Sequence, residues 1–522
     1  MRTEDQTFAP ERADITKLAV TPEQARTFSR LTAPLLIIVG AVLRILSYAY
    51  SDNSGGDAWA RVSLTAEWLA HPTFKVVFDA YPPGQFWLIA LVHLLVPNLT
   101  VAGRGLSLLL GILSLPVLWR LTRTLYGNTA ATLSLAVFTF YSLHIGYSST
   151  SSGEVCYVFF LLLALQLFFE GIVTGSVWRF AVSGVALTVS DLVRLEAWAI
   201  FFALTVAWVT YCWRDLRDRV NFRPAFAKLV AFGLCGGIGP LFLMVYCWAA
   251  FRDPLRILTL HNVLVTESMR DYPVPLEHQL LVIPATLLIT LSPVALCAAL
   301  YGFFKSFSVR PALQFAAVTL FFALLQNYEI VRGKLLSMPR YSLTLGAMLA
   351  VTSGYGFCCL GRKLRPRYFQ AAVVTLLVVN LLAILFVSEW PSSFSEKFAT
   401  ISPRVRYTKH VSAVSRFLHD HLGPEDAALI DDYNSESNII AAAAGLPLVP
   451  GRRAYVLNTK YEFSPVQYLI AEHPRFVVYS DQGELQRWLP LPSTCAGTQV
   501  SGVIFRCVMQ DEVYRIYELQ YP

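Results

Sequence analysis

Long apolar runs separated by short polar links occupy the chain between residues 31 and 390. Each run can cross the hydrocarbon core of a bilayer, which takes about 20 residues as a helix. One such run would be compatible with a buried core helix, but a series of them indicates membrane spans. The predicted spans are 31–50, 101–119, 128–146, 155–173, 229–249, 280–303, 311–327, 341–360 and 370–388.

Two further apolar segments need a separate interpretation. Residues 180–212 carry three charged residues in their middle and are predicted as a hairpin of two helices. "PPGQFWLIALVHLLVP" (82–97) is short for a span and is predicted as a helix in the outer interface that begins at proline. With the hairpin counted twice, the chain crosses the membrane about eleven times.

The basic links give the orientation. They include "RLTRTLYG" (120–127), "WRDLRDRVNFRPAFAK" (213–228) and "GRKLRPRYF" (361–369), and the positive-inside rule places them in the cytoplasm. We therefore expect a cytoplasmic tail at 1–30, a membrane domain at 31–390 and a first outer loop at 51–100. Residues 1–30 are polar and show no cleavable signal peptide.

The composition changes after residue 390. "VSAVSRFLHDHL" has helical spacing, "AALIDDYNSESN" is typical of a buried strand running into a turn, and "RFVVYSDQGELQRWL" predicts another strand, turn and helix. Alternating strands and helices predict a small α/β domain at 391–522, outside the cytoplasm. Cys495 and Cys507 lie in it, and a hairpin disulfide between them is one of two open possibilities.

Composition supports the same class. The chain of 522 residues is 55% apolar and 15% charged, which excludes a typical soluble globular protein. The net charge of +7 follows from the basic links, and no nucleic-acid partner is expected. The fold class is therefore an α-helical polytopic membrane protein with a small C-terminal α/β extracytoplasmic domain.

Ionisable residues at the outer edge of a membrane are functional candidates, because burying a charge there is costly. Three of them follow or precede an apolar run among small or aromatic residues: Asp57 in "GGDAW", Glu154 in "SSGEVCY" and Arg340 in "MPRYS". The same outer side carries Asp52, Asp79, Tyr81, Arg194, His261 and Arg270.

The ordered set resembles the GT-C superfamily of polyprenyl-phosphate-sugar glycosyltransferases, in particular aminoarabinose transferases and protein mannosyltransferases of the family 39 branch. It consists of Asp57 after the first span, "YPPGQFWLIAL", "SSTSSGEVCYVFFLLLAL", "RLEAW", "FRDPLRIL" and "MPRYSLTLGAML", and it covers about residues 31–390. Tyr81 stands where many relatives have histidine before the proline pair.

The resemblance implies roles for these residues. Asp57 would be the general base that deprotonates the acceptor, and Arg340, with Tyr341 and Arg270, would bind the lipid phosphate. Glu154 would orient the acceptor, bind a divalent metal (Mg or Mn) together with Asp57, or pair with a cationic group. Asp79, Tyr81, His261 and Arg194 are further possible site residues.

Plainer interpretations remain open. Asp57 and Glu154 could each cap a helix, and Arg340 could snorkel to the interface. Arg194 is favoured as a structural partner of Glu196, and His261 as an interface anchor. Arg44, within the first span, is expected to snorkel or to be paired.

The function that the resemblance implies is transfer of a sugar from a polyprenyl-phosphate donor to a lipid, glycan or protein acceptor on the outer face. Inversion is expected, because a base-activated acceptor displaces the phosphate in one step. A transporter or flippase of lipid-linked sugar is the alternative, although no internal repeat is visible. A non-catalytic member of the superfamily is another.

Overall fold

The computed structural model describes residues 31–53, 58–70, 72, 81–218, 220–271, 276–335, 338–361, 366–387, 401–423, 425–431, 436–446, 454–456, 469, 471–492, 494–500 and 502–522. Two predicted site residues, Asp57 and Asp79, lie outside the described residues.

Helices dominate up to residue 387. In the described ranges they are α1 Thr32–Tyr50, α2 Ala58–Ala70, α3 Gly84–His93, α4 Leu99–Tyr126, α5 Asn128–Thr139, α6 Ser142–Tyr147, α7 Gly153–Thr174, α8 Val177–Val193, α9 Glu196–Tyr211, α10 Trp213–Arg217, α11 Phe222–Phe251, α12 Arg256–Asp271, α13 Leu276–Thr290, α14 Pro293–Ser306, α15 Arg310–Val331, α16 Ser342–Leu360 and α17 Pro366–Val387. A 3₁₀ turn, Pro339–Tyr341, leads directly into α16.

The chain is a multi-pass membrane protein. Within the described residues, seven helices are long and apolar enough to cross a bilayer, or eight if the bent pair α13–α14 counts as one span. α1 exposes a row of apolar side chains, including Leu35, Ile38 and Val42, as expected for a face that contacts lipid. The predicted hairpin is present as α8 and α9, and "GQFWLIALVH" forms the short helix α3.

Two predicted spans are interrupted. α13 and α14 meet at 109° instead of forming one straight span over 280–303. Ser292 causes the break: its φ of 73° is incompatible with a continuing helix, and its hydroxyl caps α14 by accepting from the Ala295 N–H. Pro293 then starts α14, where a proline is favoured. The predicted span 128–146 is likewise divided, into α5 and α6.

Small residues set the closest helix contacts. A Cβ on Gly184 of α8 would collide with the backbone of Gly236 on α11. At the same contact, the Thr188 hydroxyl donates to the Cys235 carbonyl at 2.6 Å. Close backbone approach of this kind is how membrane helices gain packing energy without a hydrophobic effect between them.

Arg44 is buried in the bundle and does not snorkel. Its Nη2 lies 2.9 Å from Nδ1 of His144 on α6, and its Nη1 donates to the Gly40 carbonyl at 2.9 Å. Of the two expectations for this residue, the structure therefore shows pairing. The contact ties α1 to the short helix α6.

A six-stranded sheet follows in the C-terminal region. The described strands and helices are β1 Ala428–Ile430, β2 Ala454–Val456, β3 Phe476–Ser480, β4 Thr498–Val500, β5 Val503–Gln510 and β6 Tyr514–Gln520, with α18 Lys409–His421 and α19 Ser437–Ala443. The order is β2-β1-β3-β6-β5-β4; β2, β1 and β3 are parallel and the remaining pairs are antiparallel.

The sheet is covered on both faces. Ile430 and Val478 pack with α18 on one face, while Val477 and Tyr517 belong to a second cluster on the other. The helix predicted after β3 is a single 3₁₀ turn, Glu484–Arg487, because Pro490 and Pro492 follow it closely. The antiparallel half of the sheet was not predicted from the sequence.

The first residues of the C-terminal region dock on the C-terminal end of α1. The Val405 N–H donates to the Ser51 hydroxyl at 3.0 Å, and the Asp52 N–H donates to the Val405 carbonyl at 2.8 Å. The Asp52 carboxylate accepts from the Tyr407 N–H at 3.0 Å. Burial and this carboxylate raise the pKa of Tyr407 to about 12, so its hydroxyl stays protonated at neutral pH.

Cys495 and Cys507 form a disulfide, with their Cα atoms 5.3 Å apart. The bond connects the segment before β4 to the middle of β5, and it closes the hairpin that lies at the edge of the sheet. Disulfides persist in compartments outside the cytoplasm, so this bond agrees with the predicted location of the domain.

We expect Cys495→Ser to destabilise the C-terminal domain by about 2–4 kcal/mol, because the unfolded chain is no longer cross-linked. The measurement is thermal unfolding in detergent, with thiol labelling of native membranes. Wild-type Cys507 should resist labelling until a reductant is added, whereas it should label at once in Cys495→Ser. Cys297→Ser is the matched control, since Cys297 is a free cysteine on α14. Full labelling of wild-type Cys507 without reductant would contradict the disulfide.

Candidate functional site

A small polar pocket lies where four helix ends meet. It contains about 230 Å³ of empty space, part of it open to solvent. Its lining comes from α7, the α8–α9 link, α15, and the 3₁₀ turn with α16: Glu154, Tyr157, Arg194, Glu196, Phe322, Gln326, Arg340, Tyr341, Leu343 and Thr344. Four predicted site residues therefore meet in one place, namely Glu154, Arg194, Arg340 and Tyr341.

Glu154 lies in the first turn of α7, where the partial positive charge of a helix N-terminus stabilises a carboxylate. Its side chain is 3% exposed, so its charge also needs a cationic partner. Oε1 accepts from Arg194 Nη1 at 3.0 Å. The position suits a helix-dipole partner, and the bond to Arg194 suits a carboxylate that pairs with a cationic group.

Arg194 occupies the link between α8 and α9 and is the most heavily bonded cation of the pocket. Besides Glu154, it reaches Glu196, whose Oε1 accepts from Nη2 at 2.6 Å and from Nε at 3.2 Å. Its guanidinium also lies over the ring of Tyr341, 5.1 Å from the centroid. The structure therefore contains the Arg194–Glu196 pair that the sequence favoured, and it extends that pair to Glu154.

Arg340 belongs to the 3₁₀ turn before α16, and its side chain is 9% exposed. Its Nε lies 3.9 Å from Oε1 of Glu154, which is an ion pair without a hydrogen bond. Its guanidinium also lies 5.2 Å from the centroid of Tyr341. Arg340 is thus held more loosely by carboxylates than Arg194 is.

A serine-rich loop joins this pocket to the first outer loop. Ser151, three residues before Glu154, donates its N–H to Asn53 Oδ1 at 2.8 Å. Its hydroxyl donates to the Ala58 carbonyl at 2.7 Å. The residues on both sides of the segment 54–57 are therefore bonded to one serine next to the pocket.

The other predicted residues fall in different places. Tyr81 lies on the outer loop, where its ring is 4.5 Å from the Arg61 guanidinium. His261, on α12, is close enough to Glu196 to interact electrostatically. Arg270 lies in the last turns of α12, and its side chain is outside the described part of the structure. Asp52, a fallback candidate for the base, instead holds the C-terminal segment through Tyr407.

Sequence reasoning missed several pocket residues. Glu196 was considered only as a partner of Arg194, and Gln326 was not considered. Gln326 is an amide within the apolar α15, and a polar side chain near the end of a membrane helix could have marked it as a candidate. Its role depends on Tyr341, 15 residues further along the chain, whose carbonyl accepts from Gln326 Nε2 at 2.9 Å.

The described surroundings of Glu154 do not suit a divalent metal. In the described ranges no group of three or more His, Cys, Asp or Glu side chains comes together as a metal site. Mg²⁺ prefers oxygen ligands, whereas the nearest charged groups to Glu154 are the guanidinium groups of Arg194 and Arg340. No step of the proposals below uses a metal.

Comparison with known proteins identifies the fold. The sequence model of the family described as dolichyl-phosphate-mannose-protein mannosyltransferase matches residues 80–235. No curated protein sequence matches the chain.

Three solved structures are similar to the chain. ArnT from Cupriavidus metallidurans bound to undecaprenyl phosphate has a TM-score of 0.56 and 13% identity, and covers 92% of this chain and 97% of its own. The apo state of the same protein gives a TM-score of 0.56 at 14% identity with the same coverage. The archaeal oligosaccharyltransferase AglB from Archaeoglobus fulgidus, in complex with an inhibitory peptide and a dolichol-phosphate, has a TM-score of 0.51 and 12% identity, and covers 87% of this chain and 70% of its own.

The chain therefore has the GT-C fold, and both the fold class and the GT-C resemblance that its sequence predicts are confirmed at the level of the fold. The number of eleven spans remains a prediction, since seven or eight are evident by length and composition in the described residues.

We expect Arg194→Ala to destabilise the protein much more than Arg340→Ala. Removing Arg194 leaves Glu154 buried without its hydrogen-bonded partner, which costs about 3–5 kcal/mol. The contact of Arg340 with Glu154 is longer and is not a hydrogen bond, so its loss should cost less. The measurement is the unfolding midpoint of each variant in the same detergent.

The double variant Arg194→Ala/Glu154→Gln is the internal check. It removes the unpaired charge and should recover part of the stability lost in Arg194→Ala. Equal destabilisation by the two arginine variants would show that Arg194 is not the main partner of Glu154.

Proposed function

We propose that the chain is a membrane glycosyltransferase that transfers a sugar from a polyprenyl-phosphate donor to a lipid, glycan or protein acceptor. The observation that carries the proposal is the pocket itself: a buried arginine, Arg340, lies beside a carboxylate at the ends of apolar helices. The GT-C fold and the undecaprenyl phosphate bound by ArnT support the same class of donor.

Arg340 is assigned to the lipid phosphate. A guanidinium presents planar, paired N–H donors that match phosphate oxygens. Its 3.9 Å contact with Glu154 is not a hydrogen bond, whereas Arg194 makes four hydrogen bonds to Glu154 and Glu196. Tyr341, which both guanidinium groups approach, would keep Arg340 beside the phosphate.

Asp57 is assigned as the general base. It lies outside the described residues, but the next residue, Ala58, accepts a hydrogen bond from Ser151 close to Glu154. Asp57 would take the proton of the acceptor hydroxyl or amine as the acceptor forms a bond to the anomeric carbon. The bond between that carbon and the phosphate oxygen breaks at the same time, and polyprenyl phosphate leaves with inversion of the sugar.

The orientation of the site is also part of the proposal. The pocket lies at the end of α15, near Gln326, while Arg310 starts the same helix at the opposite end. The basic link there is predicted to be cytoplasmic, so the pocket would face the outer side. The C-terminal domain, which docks on the C-terminal end of α1, would lie outside the cytoplasm with it.

Purified protein incubated with a panel of polyprenyl-phosphate sugars and candidate acceptors should release polyprenyl phosphate. Asp57→Asn should lower the rate by about 10²–10⁴ while donor binding persists, because a base acts only in the reaction step. Arg340→Ala should weaken donor binding, since the phosphate loses its cationic partner.

Matched control variants distinguish these roles from a loss of activity caused by misfolding. Asp52→Asn changes another outer carboxylate, which accepts a backbone hydrogen bond that an amide also accepts, and should keep activity. Arg332→Ala removes an exposed arginine after α15 and should leave donor binding unchanged. Movement of the intact donor across vesicles without release of polyprenyl phosphate would instead support the transporter, and inactivity with every donor and acceptor would favour a non-catalytic member.

A further inference from the structure

Two buried acceptor atoms in the pocket have no hydrogen bond within the described structure. They are Glu154 Oε2 and Gln326 Oε1; the same pocket also holds the Tyr157 hydroxyl, which can donate or accept and has no hydrogen bond in the described structure. Both residues line the same pocket, and both side chains are buried. Buried polar atoms are almost always paired in native proteins, so two unpaired acceptors in one pocket indicate a ligand that supplies donors.

The orientation of the Gln326 amide is fixed by its neighbour. Its other polar atom lies 2.9 Å from the Tyr341 carbonyl oxygen, which can only accept a hydrogen bond. That atom must therefore be the amide nitrogen, and Oε1 is left as an acceptor. The 3₁₀ turn that contains Tyr341 also contains Arg340, so the Gln326 amide is bonded to the same turn as the guanidinium group.

Glu154 likewise has one oxygen bonded to the protein and one without a hydrogen bond in the described structure. Oε1 accepts from Arg194 at 3.0 Å and lies 3.9 Å from Arg340, whereas Oε2 has no partner within the described ranges. An ionised carboxylate oxygen can only accept, so its missing partner must be a donor.

We propose that Glu154 and Gln326 bind hydroxyl groups of the transferred sugar, and that Gln326 determines which sugar the enzyme prefers. This inference rests on the proposed function and deepens it. Hydroxyl groups supply the donors that both acceptors lack.

The charges of the pocket disfavour an anionic ring. Arg194 and Arg340 balance Glu154 and Glu196 before a ligand binds. With Arg340 assigned to the lipid phosphate, the remaining three groups carry a net charge of −1. A sugar carboxylate would be repelled there, so uronic acid donors should be poor substrates.

The test combines protein and sugar changes. Wild type and Gln326→Leu are assayed with the preferred polyprenyl-phosphate sugar and with analogues that each have one hydroxyl replaced by hydrogen. In wild type, loss of the hydroxyl that Gln326 binds should lower kcat/KM by about fivefold, the usual effect of one neutral hydrogen bond. In Gln326→Leu that penalty should disappear for this analogue alone.

Gln314→Leu is the matched control, since Gln314 lies on the same helix outside the pocket and should keep the wild-type ratios. If Gln326→Leu does not fold, Gln326→Met replaces it, because methionine has similar length and no amide oxygen. A purely structural role would lower kcat/KM for all donors equally and leave every ratio unchanged, which would overturn the inference. Preference for a uronic acid donor would overturn it as well. Absence of release from every donor, by contrast, would overturn the proposed function and the inference with it.

Discussion

The site depends on one guanidinium group held between two carboxylates in an apolar helix bundle. Arg194 contacts Glu154 at 3.0 Å and Glu196 at 2.6 Å, and these three residues belong to the start of α7, the α8–α9 link and the start of α9. Isolated charges cannot be buried at this depth, so each member of the set requires the others. The network therefore fixes three helix ends relative to one another before any ligand is present.

A second arginine, Arg340, lies beside this network without a hydrogen bond to Glu154. Because Arg194 already satisfies much of the charge of Glu154, Arg340 is not needed to neutralise it and approaches only to 3.9 Å. The cluster as a whole is neutral, which makes its burial tolerable without a bound cation. If Arg340 binds the lipid phosphate, as proposed, the hydrogen bonds between Arg194 and the two glutamates would stay intact.

The fold and part of the site could be predicted from the sequence, and the reasons are physical. Apolar runs identify spans because lipid requires them, and Glu154 and Arg340 were found because each stands where such a run begins. The bend between α13 and α14 was not predicted, because it depends on the backbone of a single residue, Ser292. The antiparallel half of the sheet was missed because β5, "VIFRCVMQ", shows no regular alternation of apolar and polar residues.

Residues whose roles depend on distant partners were the hardest to assign. Gln326 becomes informative only through the carbonyl of Tyr341, which fixes its amide. Asp52 has the composition and position of a candidate base, yet its carboxylate is used to hold Tyr407, which lies in another part of the chain. A single sequence contains no local signal for such contacts, whereas a helix period or a basic link is visible within one segment.

The docking of residues 403–407 on the C-terminal end of α1 also constrains how the protein is made. Asp52 and Val405 are about 350 residues apart in the chain, and the ribosome adds roughly 5–20 residues per second. The first span is thus synthesised roughly 20–70 s before the segment that completes its C-terminal end. During biogenesis, Ser51 and the backbone of Asp52 must be hydrated or bound by another factor until that segment emerges.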